Sequence, residues 1–377
     1  MQKTAGFSRA DDPTRKPPGK AVVVVIDPQP PVRQSIAGPL AGYYRILEFA
    51  SVEAAAARTP SGPAALLVGE HALRADAAAA LATLRRTPAF KGAPIIACLP
   101  RGNGPINDWI PASAVDGKIE LPFRYGDIAI LVARLGKTAF QKEWAQLPAR
   151  PRQALRKTLA AYHGMAELIA NDAPLDYRAV TDACAPVLSV VKQADHGYIF
   201  DALTLVDDLI YVHSLRVSTM LAMFGFTIGL NDDELLTLAC GGLMFDIGKT
   251  LLPYALLHKP GSLTAAEWEL VREHVDLGQR YVGRRSNGPS GIQIMVGQHH
   301  ERLDGSGYPG QLGGDKLNDL ARMAAIVDVF AALTEERPYR PAFSVPDAFD
   351  ILAGTMSGQF DQGLLSTFRQ MLQGPSP

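Results

Sequence analysis

The sequence predicts a two-domain protein in which an α/β domain, built on a doubly wound sheet, precedes an all-helical domain. Short apolar runs alternate with helix-length segments rich in Ala and Leu up to about residue 140. From about Lys142 this alternation stops, and apolar residues recur three or four positions apart almost to the end. With 47% hydrophobic and 20% charged residues among 377, the chain has apolar material for two or three packed domains, and wholesale disorder is excluded.

Composition also excludes several classes of function. The chain has 37 Lys and Arg against 38 Asp and Glu, so it offers no global positive field for a nucleic-acid partner. Cys98, Cys184 and Cys240 are too few and too scattered for a disulfide framework or a thiolate zinc site. No signal-peptide core opens the chain, and no segment approaches roughly 18 uninterrupted apolar residues. We therefore expect a cytoplasmic protein with no membrane partner.

The α/β domain is predicted over residues 21–140, after a flexible leader at residues 1–20 that mixes charges and prolines without periodicity. Stretches of helical length, such as Leu73–Arg86 and Tyr125–Phe140, lie between the strands. The five predicted strands are Ala21–Ile26, Tyr44–Phe49, Ala64–Val68, Pro94–Leu99 and Gly117–Leu121.

These five strand–helix units in about 120 residues resemble the receiver domain of bacterial response regulators, a flavodoxin-like fold. The resemblance implies a phosphorylation site at the carboxyl ends of the strands, and the residues there depart from the family pattern. Asp27 keeps one acid after the first strand, but the third strand ends in Gly69-Glu70, without the acceptor aspartate. Cys98 replaces the expected hydroxyl and Leu121 the expected lysine. We therefore predict no phosphoacceptor, and a role in docking or dimerisation.

A helical connector is predicted over residues 141–199, between the α/β domain and a helical domain at residues 200–377. Gln146–Arg152 reads as a proline-interrupted linker. Amphipathic helices are then expected at Leu155–Ala170, Tyr177–Gln193 and Phe200–Leu209. Such connector helices make a homodimer reasonable.

Histidines and aspartates are concentrated in the predicted helical domain. They are His213, Asp246, His274, His299, His300 and Asp328. Imidazole and carboxylate together suit divalent iron, manganese, zinc or nickel, and ligands from several helices of a bundle can converge on its interior. The pattern predicts a metal site.

The sequence motifs around these residues are more specific than the spacing of the residues. The strings are Gly242-Leu-Met-Phe-Asp246-Ile-Gly-Lys249, Arg272-Glu-His274, His299-His300-Glu301-Arg302-Leu303-Asp304-Gly305-Ser306-Gly307-Tyr308-Pro309, Ala321-Arg322-Met-Ala-Ala-Ile-Val-Asp328 and Arg337-Pro338-Tyr339-Arg340. Together they closely resemble the HD-GYP family over roughly residues 200–370. The resemblance implies an all-helical fold of the HD metal-phosphohydrolase type and metal-dependent hydrolysis of cyclic di-GMP.

The resemblance also assigns ligands to two metals, such as iron or manganese, which would polarise a phosphodiester and activate a water. The first subsite would consist of His213, Asp328 and the bridging Asp246. The second subsite would consist of Asp246 with the remaining three ligands, His274, His299 and His300.

Further residues of the family pattern are expected to act on the substrate. Lys249 would neutralise a phosphate oxygen and serve with Asp246 in catalysis. Arg337 and Arg340 would pair with phosphate as forks. A loop with glycines that permit close backbone approach would line the site, through Gly305, Gly307, Tyr308 and Pro309.

The family's defining His-Asp pair is broken here, because Phe245 precedes Asp246 and has no lone pair for a metal. The first subsite thereby loses a ligand, and Leu209 stands where some members have a glutamate for a third metal. We expect one or two divalent ions per chain. Two outcomes stay open: an enzyme with reduced turnover, or an inactive domain that binds cyclic di-GMP or docks a signalling protein.

Overall fold

The computed structural model describes residues 22–41, 44–60, 62–74, 76–101, 110, 114–123, 144–204, 206, 208–257, 259, 262–284, 289–335 and 341–373. The chain divides into two compact units. One consists chiefly of Pro13–Gln146, and the other chiefly of Leu147–Leu252 together with Lys259–Pro377. The predicted leader and the predicted helix at Tyr125–Phe140 lie outside the described residues.

A parallel sheet of five strands forms the centre of the first unit. The strands are β1 (Val22–Ile26), β2 (Arg45–Phe49), β3 (Ala65–Gly69), β4 (Ile95–Pro100) and β5 (Gly117–Leu121), in the spatial order β2-β1-β3-β4-β5. This is the order of flavodoxin-like sheets, in which the site lies at the carboxyl ends of the strands. All five predicted strands are confirmed to within a residue or two at each end. Strands β1, β3 and β4 are almost fully buried, as expected where helices cover both faces of a parallel sheet.

Four helices accompany the sheet among the described residues: α1 (Pro30–Ala37), α2 (Val52–Arg58), α3 (Glu70–Leu73) and α4 (Ala77–Arg86). The single stretch expected at Leu73–Arg86 is therefore wrong at its start. The α3 helix ends at Leu73, and the Asp76 side chain accepts the backbone N–H of Ala79 to begin a new helix. An aspartate at this position competes for backbone donors, so it favours a helix start over a helix interior. Leu81 and Leu84 of α4 then pack into the same apolar core as the strands.

The second unit is helical throughout its described residues. Its helices are α5 (Ala149–Ala170), α6 (Tyr177–Lys192), α7 (Gly197–Leu203), α8 (Leu209–Thr227), α9 (Asp232–Met244), α11 (Ala265–Gln279), α12 (Ser290–Gln298), α13 (Asp319–Thr334), α14 (Val345–Ala353) and α15 (Gln362–Gln373). The short helix α10 (Tyr254–Leu257) lies between α9 and α11 in the chain and is assigned to the first unit. The helices expected from Leu155 and from Tyr177 are confirmed.

Two of the sequence expectations near the connector are wrong. Helix α5 begins at Ala149, inside the predicted linker. Pro148 precedes the helix without a side-chain cap, and Pro151 lies in its first turn, where a missing N–H costs little. The helix expected over Phe200–Leu209 is two helices, since α7 ends at Leu203 and the Asp208 side chain caps α8 through the Tyr211 N–H. Helices α5 and α6 pack within the helical unit, and the domain boundaries themselves stay a prediction.

Helix α8 is the apolar centre of the helical unit. Its length and composition would allow it to cross a membrane, but most of the helix is buried inside the protein. A helix that is hydrophobic all round is typical of a buried core helix in a large domain. At its carboxyl-terminal half Phe224 packs on Phe368 of α15, with ring centroids 5.4 Å apart. At its amino-terminal half it carries His213.

Candidate metal centre

Four predicted ligands meet in one buried cluster of the helical unit. Asp246 follows α9, His274 lies on α11, and His299 and His300 follow α12. One ligand atom from each of the four lies within 4.8 Å of the others. Asp246 and His300, more than fifty positions apart in the sequence, thus lie together with the two other residues predicted for the second subsite.

A close helix approach brings two of these ligands together. Gly248, in the short turn after Asp246, packs against the backbone of α11 at His274 and Gly278, and a Cβ at Gly248 would collide with the His274 carbonyl oxygen. Glycine at this position is therefore required by the space between the turn and the helix. The contact holds Asp246 and His274 side by side.

The two carboxylate oxygens of Asp246 have different surroundings. Lys249 Nζ donates to Oδ2 at 2.5 Å. Oδ1 is buried without a hydrogen-bond partner, and His274 Nε2 and His299 Nε2 lie 3.2 and 3.6 Å from it. Burial alone would raise the pKa of Asp246, but the Lys249 ammonium beside it holds that pKa well below its ordinary value. The centre thus holds a buried carboxylate with one oxygen directed at two imidazole nitrogens.

Backbone carbonyls determine which ring nitrogen of each histidine faces the cluster. His274 Nδ1 donates to the Val271 carbonyl at 2.6 Å, and His299 Nδ1 donates to the Met295 carbonyl at 3.0 Å. A carbonyl oxygen can only accept, so both Nδ1 atoms carry hydrogen, and the two Nε2 atoms face each other at 3.3 Å. Burial lowers the pKa of His274, which keeps its ring neutral at neutral pH. This tautomer is the one expected of metal-ligating histidines.

These donors fit a divalent transition metal. An unpartnered carboxylate oxygen and facing Nε2 atoms would be costly in a buried site without a cation to share. Burial also lowers the pKa of His300 well below its ordinary value, which favours a neutral ligand there as well. Iron, manganese, zinc and nickel all accept this combination of imidazole and carboxylate.

The remaining members of the first subsite lie next to this cluster. His213 Nε2 is 3.0 Å from Asp328 Oδ1 and 3.9 Å from Asp246 Oδ2, and His300 Nδ1 is 3.7 Å from Asp328 Oδ2. Burial would raise the pKa of Asp328, but its hydrogen bond with His213 lowers that pKa instead. The structure therefore brings together all six residues predicted as ligands. It also pairs Oδ2 of Asp246, the oxygen nearest His213, with Lys249 rather than leaving it free.

Phe245 lies at the contact between the two subsites. Its side chain is buried, and its ring centroid is 5.5 Å from that of His213 and 4.9 Å from that of His299. The aromatic ring fills the volume between the imidazoles of the two subsites and supplies no lone pair.

Sequence reasoning missed Glu335, which contacts His213 from the side opposite the cluster nitrogen. Both carboxylate oxygens of Glu335 lie 3.0 Å from His213 Nδ1. Arg216 Nε is 3.3 Å from the same carboxylate. An acid directly after Thr334 was visible in the sequence, but its partner is 122 positions away and no local pattern links them.

The Gly-Tyr-Pro loop is held by a second residue that sequence reasoning missed, Glu301. Its buried carboxylate accepts the backbone N–H groups of Gly310 and Leu312, at 2.6 and 2.8 Å. Gly307 packs against the backbone of residues 300–302, where a Cβ would have no room. Tyr308, followed by Pro309, then stacks on His300 with ring centroids 4.6 Å apart. The loop is thereby attached to a metal-type ligand.

Some predicted residues have other outcomes. Arg337 and Arg340 lie outside the described residues. Gly305 adopts a φ of +75°, a conformation that favours glycine. Leu209 is the first residue of α8, and the acid beside it, Asp208, is used to cap the helix and to pair with His163 Nε2 at 3.3 Å.

Asp27 and Gly69 lie at the carboxyl ends of strands β1 and β3, the positions compared with a phosphorylation site. Asp27 is fully buried, and its oxygens accept the backbone N–H groups of Gln29 and His71 at 2.8 and 3.1 Å. The Asp27 carboxylate fills the space that a Cβ at Gly69 would need. Cys98 is buried on β4, and burial raises the pKa of its thiol. No side chain stands at position 69 to accept a phosphoryl group.

Residues 198–364 match the family model described as HD domain, and all six candidate ligands lie in that segment. Within the helical part of the chain, residues 198–364 are similar to an HD domain. Among curated proteins, the chain is 34% identical over 162 residues to a cyclic di-GMP phosphodiesterase of Pseudomonas aeruginosa, which covers 43% of this chain and 39% of that protein. These matches confirm the family resemblance predicted from the HD-domain motifs.

Two other relatives match the HD domain. A protein of Vibrio cholerae named 3′3′-cGAMP-specific phosphodiesterase 1 is 38% identical over 152 residues, covering 40% of this chain and 35% of that protein. The cyclic di-GMP phosphodiesterase response regulator RpfG of Xanthomonas campestris is 32% identical over 147 residues, covering 39% of each. The chain therefore spans about two fifths of the length of these relatives.

Proposed function

We propose that the HD domain hydrolyses cyclic di-GMP at a centre holding one divalent ion tightly. The observation that carries this proposal is the buried, unpartnered Oδ1 of Asp246, which faces Nε2 of His274 and of His299. A phosphodiester is the substrate class that relatives of this domain act on by name. A divalent ion bound here would supply Lewis-acid polarisation of a phosphate oxygen and would lower the pKa of a water.

The two subsites are expected to differ in affinity for the metal. The second subsite has four ligands. Backbone carbonyls set the tautomers of His274 and His299, and Lys249 lies beside the Asp246 carboxylate. In the first subsite Phe245 adds no ligand, and the Lys249 ammonium competes for Asp246 Oδ2. We infer one tightly held ion at the second subsite and a weakly held ion at the first. Iron or manganese is the expected metal.

Residues of the chain itself would bind and orient the substrate. Lys249 is half-buried and pairs with Asp246. Its ammonium would instead pair with a phosphate oxygen of a substrate that enters the site. Tyr308, stacked on His300, presents an aromatic face beside the ligands, with the Arg272 guanidinium 5.0 Å from its ring centroid. Arg337 and Arg340 are proposed to bind phosphate through bidentate hydrogen bonds from their guanidinium groups.

A binding protein without turnover is the second candidate. The observation that favours it is Phe245, a ring that gives the first subsite no fourth donor. In this alternative the HD domain recognises cyclic di-GMP and presents a surface to a signalling protein. The first unit, whose sheet order fits a receiver-like fold, is proposed to dock a partner or form a homodimer without phosphorylation. A cytoplasmic location remains a prediction.

The deciding experiment uses the full chain, stripped of metal and then reloaded with Mn²⁺ or Fe²⁺. Cyclic di-GMP and 3′3′-cGAMP are supplied separately, and linear products are measured by chromatography beside the Asp246→Asn variant and the control His71→Ala. Hydrolysis of cyclic di-GMP by the wild type and by His71→Ala, with loss in Asp246→Asn, supports the enzyme. Binding of cyclic di-GMP without product from metal-loaded protein supports the adaptor. Faster cleavage of 3′3′-cGAMP would change the assigned substrate.

A further inference from the structure

The His213 ring is contacted by a carboxylate at each nitrogen. Nδ1 lies 3.0 Å from both oxygens of Glu335, and Nε2 lies 3.0 Å from Asp328 Oδ1. Nε2 is also 3.9 Å from Asp246 Oδ2. The ring is therefore aligned along one direction, with Glu335 behind it and the first subsite in front.

Glu335 is itself held in place by α8 and by the end of α13. Arg216 lies three residues after His213, so both side chains leave the same face of α8. The Arg216 Nε atom is 3.3 Å from the Glu335 carboxylate, and Arg216 Nη2 donates to Thr334 Oγ1 at 3.1 Å. Thr334 Oγ1 donates in turn to the Phe330 carbonyl. The carboxylate of Glu335 is thus attached to α8 and α13, which carry His213 and Asp328, and its charge is matched by Arg216.

We propose that Glu335 is a positioning residue for the first subsite, acting through His213. An ionised carboxylate only accepts hydrogen bonds, so without metal Nδ1 donates to Glu335 and Nε2 donates to Asp328. A metal would replace the hydrogen on Nε2, while Glu335 keeps the hydrogen on Nδ1 and the ring in orientation. This matters more where Phe245 supplies no ligand, because orientation of the remaining imidazole then limits binding. The inference rests on the proposed function, since it assumes that the first subsite takes up a metal.

The test measures Mn²⁺ binding by calorimetry to the metal-stripped full chain. Wild type is compared with Glu335→Ala, with Glu335→Gln, and with Glu53→Ala, a matched glutamate change in the other unit. Wild type and Glu53→Ala should bind one Mn²⁺ tightly and a second weakly. Glu335→Ala should weaken only the second Mn²⁺, by ~10- to 100-fold, the usual effect of losing a residue that orients a ligand. Glu335→Gln keeps an acceptor oxygen for Nδ1–H and should stay closer to wild type than to Glu335→Ala.

Hydrolysis of cyclic di-GMP by the same proteins separates this inference from the proposed function. Loss of the second Mn²⁺ in Glu335→Ala, with rescue in Glu335→Gln, upholds the inference even if no variant cleaves the substrate. A wild type without a second Mn²⁺, an unchanged second Mn²⁺ in Glu335→Ala, or a Glu335→Gln as weak as Glu335→Ala overturns it. If Glu335→Ala does not fold, Glu335→Asp replaces it, since this variant keeps the charge but withdraws the oxygens from Nδ1.

Discussion

The ring of Phe245 meets the ring of His299 edge-on, with centroids 4.9 Å apart and planes at 87°. The same phenylalanine is 5.5 Å from the centroid of His213. It therefore contacts one imidazole of each subsite while occupying the position where the family pattern has a metal-binding histidine. We expect the number of bound metals and the rate of turnover to depend on this position.

Replacing Phe245 with histidine should add the missing ligand to the first subsite. We expect Phe245→His to bind the second Mn²⁺ more tightly and to hydrolyse cyclic di-GMP faster than wild type, because another cation adds charge stabilisation. If the new ring finds no metal, it leaves a buried nitrogen unsatisfied at a cost of about 1–3 kcal/mol. Metal content, unfolding temperature and kcat must be measured on the same sample.

Phe245→Leu is the matched control, because it removes the ring without adding a nitrogen. A gain in this variant equal to that of Phe245→His would show that space, and not a ligand, was limiting. A folded Phe245→His that binds the second metal but cleaves nothing would place the defect elsewhere and favour the binding protein. A wild type already at full rate, with no gain in the variant, would show that this position never limited turnover.

Metal retention should depend on the histidines of the buried cluster and not on His71, a histidine of the other unit. His299→Ala removes an Nε2 that faces Asp246 Oδ1, so most of the tightly bound metal should be lost. His71→Ala, in the other unit, should retain all of it. Elemental analysis after dialysis against a weak chelator measures the outcome. Two metals per chain retained in His299→Ala would refute the ligand set.

The first unit should not take up phosphate from acetyl phosphate. Wild-type mass should be unchanged, because Gly69 offers no carboxylate and its neighbouring space is filled by Asp27. Gly69→Asp should also fail and should unfold at a lower temperature, since Asp27 must leave a site where it accepts two backbone N–H groups. Gly38→Asp is the control, because nothing lies within 4 Å of its Cβ position. A stable phosphorylated species at Asp27 or Glu70 would contradict the prediction.

The stability of the metal-free protein should fall as pH rises above neutrality. Burial opposes protonation of His213, but the carboxylates of Glu335 and Asp328 raise its pKa from 6.5 to about 9. A pKa raised by folding stabilises the folded state fully below the unfolded value of 6.5, and this contribution is lost as pH rises through about 9. Urea unfolding across that interval measures the slope. An equal slope in His213→Gln would show that another group is responsible.

Several features of the fold follow from local sequence patterns. The strands are predictable because buried apolar runs of five or six residues, bounded by turn residues, fit a covered parallel sheet. The helix boundaries near Asp76 and Asp208 are not predictable in this way. An aspartate in a stretch with helical apolar periodicity can lie either on the surface of a helix or at its N-cap. In the structure each of these carboxylates accepts a backbone N–H in the first turn of a helix and therefore caps it.

The sequence by itself determined which donors are available for the predicted metal centre: four histidines and two aspartates in the family's order, and a phenylalanine where a ligand is missing. Residue type and order along the chain are sufficient for that, because ligand identity is a property of side chains. Only the tertiary structure decided that Glu335 lies behind His213, that Glu301 holds the Gly-Tyr-Pro loop, and that Asp27 fills the space beside Gly69. These contacts depend on how helices and strands that are far apart in the sequence pack against each other. The local periodicity of apolar residues does not indicate which distant segments will meet.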